Sequence, residues 1–207
     1  MWKWNPAVAR YQDIETGRFI AKAQVLGYVE QSALATGTAT DALATMVTDG
    51  LLGPAEWRIA FRAEIKREYI RQYVLGKGGL EQMTQVDWGS IGGMLKEQYG
   101  WIPGFEEQLL DMTEDQIAAR SRMYINSGRE GYERARARVA DEHGYDEEIW
   151  IIDPGAENCQ DCLDFAGMGW QPVGTFPFPG DGSTACLTNC KCSKSYRNTE
   201  TGEEWDG

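Results

Sequence analysis

Apolar residues recur at helical spacing over most of the first 140 positions. Val25, Val29 and Ala33 step by four, which places them on one face of a helix. Gly37 interrupts the run, and Thr38 or Thr40 offers the cap of a second helix after Ala39. Gly50 and Gly53 break the chain again, and Pro54 suits the first turn of the next helix. There Trp57, Phe61, Ile65, Tyr69 and Tyr73 form a stripe at steps of four, expected to be core. The Gly76-Lys77-Gly78-Gly79 run reads as its stop. Thr84 to Gln98 predicts a helix weakened by Gly89, Gly92 and Gly93, and Phe105 to Met112 a further short one. Thr113-Glu114-Asp115-Gln116 is a capping box. It opens a long polar helix burying Ile117, Tyr124, Ile125, Tyr132 and Val139, with Gly128 and Gly131 as kink points.

The pattern changes at both ends. Arg10 to Ile20 reads as a hairpin about a Thr16-Gly17 turn. The N-terminal aromatic residues Trp2, Trp4, Tyr11 and Phe19 are candidate docking anchors. Asp141 to Glu148 is an acidic linker holding His143, and Glu148 to Asp153 reads as one buried strand. The expected fold is mainly α: a 1–20 arm with a short hairpin, a 21–142 helical domain, a small irregular/β cysteine module over 148–197, and a flexible polar tail over 198–207.

Charge sharpens this division. The chain of 207 residues has a formal charge of −12. Residues 1–140 carry 17 Lys/Arg against 18 Asp/Glu, whereas residues 141–207 carry 3 against 14. Phosphate contacts come from Lys and Arg, so the acidic module is not expected to bind nucleic acid. The six arginines Arg120, Arg122, Arg129, Arg134, Arg136 and Arg138 lie on the long polar helix beside Glu130 and Glu133. They read as a solvated, ion-paired face rather than a DNA-binding strip. No apolar run approaches the roughly 20 residues that span a membrane, and Met1 to Pro6 shows no secretory h-region. A reducing compartment is therefore expected, which favours metal over disulfides for the thiols.

All five cysteines lie in the acidic third: Cys159, Cys162, Cys186, Cys190 and Cys192. C-x2-C, a Gly/Pro-rich loop, then C-x3-C-x-C is how a chain wraps a tetrahedral metal ion. The expected ligands of a structural Zn2+ are Cys159, Cys162, Cys186 and Cys190, with Cys192 as the alternative ligand; iron also suits four thiolates. The segment has few aliphatic residues, so metal would supply its folding energy. The zinc-deaminase pattern is excluded, because Ala156-Glu157-Asn158-Cys159 has no ligand before the Glu and no Pro before the Cys. The single histidine, His143, gives little scope for Ser/His or Cys/His catalysis. No catalytic residue is expected. Trp170, Phe176 and Phe178 are either partner contacts or packing over the metal.

Trp150-Ile151-Ile152-Asp153, Cys159-x2-Cys162-x2-Phe165-Ala166-Gly167, Pro177-x-Pro179-Gly180 and Cys186-x3-Cys190-Lys191-Cys192 together resemble the end of the phage Mu protein F-like minor head proteins. The resemblance covers about residues 148–197. The Arg10–Ile20 stretch, with its D-x3-G-R-F core, also looks like openings of phage-encoded proteins. The family's histidine before C-[RK]-C is missing, and Cys186 stands near its place. The resemblance implies a virion head protein, made in the host cytoplasm, meeting portal or capsid proteins in multiple copies. The alternatives are a phage-delivered enzyme or toxin, or a zinc adaptor for a basic protein partner.

Overall fold

The computed structural model describes residues 2–5, 10–13 and 15–205. It is mainly helical. Two short strands, β1 (Trp2–Asn5) and β2 (Arg10–Asp13), pair antiparallel at the start. The expected turn follows β2. Gly17 has φ +67°, the Asp13 N–H donates to the Arg18 carbonyl, and Gln12 bridges to Phe19. Phe19 is about half exposed; the side chains of Trp2, Trp4 and Tyr11 fall outside what is described.

Where two helices were expected about Gly37, one helix runs unbroken: α1 (Lys22–Thr48). A stop at glycine needs a left-handed backbone, and Gly37 does not have one. Packing carries the helix past it. The Ser32 and Thr36 hydroxyls both donate 2.8 Å bonds to Glu68 on the next helix, and the buried Thr40 hydroxyl is satisfied by the Gly37 carbonyl. Neither Thr38 nor Thr40 caps anything.

Helix α2 (Pro54–Lys77) starts at its proline and ends at Gly78, which is left-handed at φ +83°. Its whole aromatic stripe is buried. Trp57 stacks on Phe61 with ring centroids 4.7 Å apart, and Phe105 and Tyr124 meet Phe61 edge-on. Helix α3 (Gln85–Glu106) is capped by Thr84 and runs through Pro103. The helix expected over 105–112 is therefore the end of α3 plus a 3-10 turn, Leu109–Asp111. Pro103 is tolerated because it removes one bond in the last turn only.

The capping box at Thr113 opens α4 (Glu114–Asn126). The long helix does not continue with a kink. It breaks at Ser127 and resumes as α5 (Gly128–Glu142). The Ser127 hydroxyl bonds the Tyr124 carbonyl and shares a 2.8 Å bond with the Tyr69 hydroxyl. The break lets α5 lie along α2 while α4 lies along α1. At the α2–α5 crossing Gly76 touches backbone: a Cβ there would stand 2.3 Å from the Tyr132 carbonyl oxygen and 2.7 Å from the Ala135 Cβ. Gly76→Ala is expected to destabilise the protein by about 1–3 kcal/mol despite alanine's higher helix propensity. Urea unfolding measures it, and a stabilised variant would mean a looser crossing.

The C-terminal part is a four-stranded antiparallel sheet in the order β4-β3-β5-β6. Its strands are β3 (Glu147–Ile151), β4 (Gln171–Pro172), β5 (Ser193–Arg197) and β6 (Glu204–Trp205). β3 alternates rather than being buried throughout: Glu148 and Trp150 face inward, and Ile151 is exposed. The buried Glu148 accepts from Lys194 Nζ and from the Phe176 N–H, both at 2.8 Å, so its charge is matched.

The 198–207 stretch departs from the expected flexible tail. The chain turns at Asn198–Gly202 and returns as β6, burying Trp205. Trp205 and Tyr196 join Val25, Val29, Tyr132, Val139, Ala140 and Tyr145 in one core cluster. Sheet and helices therefore share a hydrophobic core. Among the described residues no helix is long and apolar enough to cross a membrane.

Candidate metal centre

The five thiols converge from three separate pieces of chain. Cys159 is the N-cap of α6 (Gln160–Gly167), and Cys162 lies in its first turn. C-x2-C thus puts two sulfurs at one helix N-terminus, where the dipole favours thiolate. Cys186 and Cys190 bracket a 3-10 turn, Leu187–Asn189, and Cys192 directly precedes β5.

Cys162 is the common corner. Its Sγ lies 3.5 Å from that of Cys159, 3.8 Å from Cys186 and 3.7 Å from Cys190. Four thiolates at the usual zinc–sulfur length, about 2.3 Å, stand roughly 3.8 Å apart in a tetrahedron. Two triads have mutually close sulfurs: Cys159, Cys162, Cys186 and Cys162, Cys190, Cys192. None of the five is in a disulfide. The cluster can hold a metal ion, and all the cysteines expected as ligands, with the alternative Cys192, are in it.

Electrostatics within the cluster are uneven. The Cys190 thiol, donating to Cys192, brings the Cys192 pKa down to about 6 against the opposing effect of burial. The same bond and burial push Cys190 well up, and burial first of all pushes Cys162 up. Burial would also raise Cys159, but hydrogen bonds from Cys162 and Cys186 outweigh it and hold its thiol below the usual value. Without a cation Cys162 and Cys190 keep their protons; a metal would displace them.

Aromatic rings cover the buried side of the site, while Cys159 and Cys186 stay half-buried. Trp150, Phe165 and Phe176 surround the buried thiols, with centroids 5.2–6.1 Å apart. Phe176 is thus packing over the cluster rather than a contact point. Phe178 lies beneath Arg134 and Lys194, and Trp170 beneath Arg197.

Several supporting residues escape a reading by spacing. Asp161 accepts from the Ala185 N–H at 2.7 Å, tying α6 to the Cys186 loop. Asn158 Oδ1 lies 3.6 Å from Cys192 Sγ, and Thr184 Oγ1 lies 3.2 Å from Cys186 Sγ. Arg129 donates to the Lys191 and Cys192 carbonyls at 3.0 and 2.9 Å. Except for Thr184, two residues from Cys186, their partners are distant in sequence, so spacing does not reveal them.

The arginines expected as a solvated, ion-paired face are mostly engaged inside the chain. Arg122 pairs with Asp41, Arg134 with Glu130, and Arg138 with Asp87 and Glu142. Arg136 is fully buried with Glu133 at 3.1 Å, rather than solvated. Arg120 donates to Gln108 and lies over Phe105. His143 is the C-cap residue of α5 and lies exposed in the turn that leads into the acidic linker. No family model, curated protein or solved structure matches the chain.

Proposed function

We propose that this chain is a tailed-phage minor head protein, a virion component present in several copies at the portal or capsid interior, whose cysteine cluster holds one structural zinc ion. The observation that carries the zinc is the geometry about Cys162, with three neighbouring sulfurs at 3.5, 3.7 and 3.8 Å. Those three separations fit the edges of a zinc tetrahedron that meet at Cys162, while Cys190 belongs to a different close triad from Cys159 and Cys186. A structural role is supported by the packing of Trp150, Phe165 and Phe176 against the thiols, three of which are buried, whereas a catalytic metal keeps an open position for water or substrate.

The head assignment rests on the resemblance of residues 148–197 to the phage Mu protein F-like proteins. It gains support from how the quoted motifs assemble. Trp150, the C-x2-C helix, the Pro-rich loop carrying Phe176 and the C-K-C segment form one unit about the cluster. Cys186, near the place of the family's histidine, lies in one of the two close triads.

Two measurements test the reading. Elemental analysis of protein purified without added metal is expected to give about one zinc per chain; iron or no metal would overturn the zinc assignment. Co-expressed with the portal and major capsid proteins of its phage, the chain is expected to sediment with heads and survive washing. Recovery only in the soluble fraction would sink the head reading and leave the zinc question separate.

A further inference from the structure

A groove of about 750 Å³ lies between α2 and α3, and no cysteine lines it. Trp88, Ile91, Leu95 and Tyr99 come from one face of α3, and Arg62, Lys66 and Ile70 from the facing side of α2. Trp88 is 41% exposed, although it is the largest side chain in the groove. Gly92 and Gly100 also line it, and a Cβ on either would meet nothing within 4 Å. Internal packing does not demand these glycines, yet each weakens the helix relative to alanine. They leave the α3 backbone open to an incoming element.

The rim is basic in an acidic protein. Arg62, Lys66 and Lys96 line the groove, and no carboxylate does. Elsewhere on these two helices Arg58 and Arg67 are matched to glutamates. Among the described residues Lys66 and Lys96 have no such partner, and Arg62 lies over the Tyr99 ring.

The complementary surface is on the same chain. Leu163 (45% exposed) and the carboxylate of Asp164 are exposed on α6, and the exposed Glu157 and Met168 (48%) flank the helix at its two ends. This is the most acidic part of the sequence, with 14 Asp/Glu against 3 Lys/Arg over residues 141–207. Two copies meeting groove to groove would oppose like charges, whereas α6 against the groove sets apolar on apolar and carboxylate on ammonium.

We propose that the α2–α3 groove receives the acidic α6 face of a second copy of this chain, a head-to-tail contact that propagates into a ring or a filament. It goes beyond the phage-head reading and does not depend on it, because purified protein alone tests it.

Light scattering over a concentration series is expected to show association that weakens with salt. Lys66→Glu with Lys96→Glu, and separately Glu157→Lys with Asp164→Lys, are each expected to weaken it at least about tenfold. Mixing the two variants is the decisive arm. Each retains the surface the other has lost, so the mixture should form dimers that grow no further. Circular dichroism and metal content matching the unsubstituted chain keep misfolding apart from lost contact. A chain that stays monomeric at every concentration overturns the proposal. So does association that the groove variant leaves unchanged, or a mixture that remains monomeric.

Discussion

On the zinc proposal, Cys162→Ser is expected to abolish metal binding and unfold the cysteine-rich segment around the cluster. Cys162 is the one thiol shared by both close triads, so its loss removes the corner on which either ligand set depends. The remaining local core is small: Trp150, Phe165 and Phe176 around the thiols. Structural zinc contributes about 10–16 kcal/mol to the folding of small zinc peptides, far more than those rings can replace. Metal content should fall to near zero, and the fluorescence of the buried Trp150 should shift towards that of exposed indole. Cys190→Ser and Cys192→Ser should each cost less, because the other thiol of that pair stays within reach of Cys162. A Cys162→Ser protein that kept its metal and its melting temperature would refute this assignment.

Trp205→Ala should destabilise the whole protein by about 3–5 kcal/mol, the usual cost of deleting a buried large aromatic. Trp205 is 1% exposed. Its ring stacks on Tyr196 at 5.6 Å, meets Tyr145 at 5.8 Å, and has the Arg136 guanidinium 5.3 Å from its centroid. Arg136 and Glu133 form a fully buried pair beneath this cluster. Opening the cluster to water would also alter the setting of those charges. Urea unfolding followed by circular dichroism reads the change. Because helices and sheet share this core, the expected result is one transition moved to lower urea. A change below about 0.5 kcal/mol, typical of surface substitutions, would mean that the terminal strand is dispensable.

Features written in neighbouring residues were legible from the chain. The Trp57-to-Tyr73 stripe, the Thr113 cap, the Pro54 start and the Gly78 stop each use residues within a few turns of one another. The C-x2-C helix belongs with them, since Cys159 and Cys162 meet through a single turn. Features that depend on distant partners were misread. Gly37 looked like a break until Glu68, over thirty residues away, satisfied Ser32 and Thr36. Arg136 looked like a solvated charge until the sheet covered it.

The sequence by itself determined the helical class, the acidic C-terminal third and the thiols that form the cluster, because periodicity, charge and local spacing need no long-range contact. Only the tertiary structure decided that Cys162 is the shared corner and that α4 and α5 part at Ser127. It also decided that the last strand buries Trp205 in a core built jointly with α1 and α5. The reason is physical. A short polar segment has no local free energy to hold a strand, and it gains one only when the far end of the chain presents an apolar surface to cover.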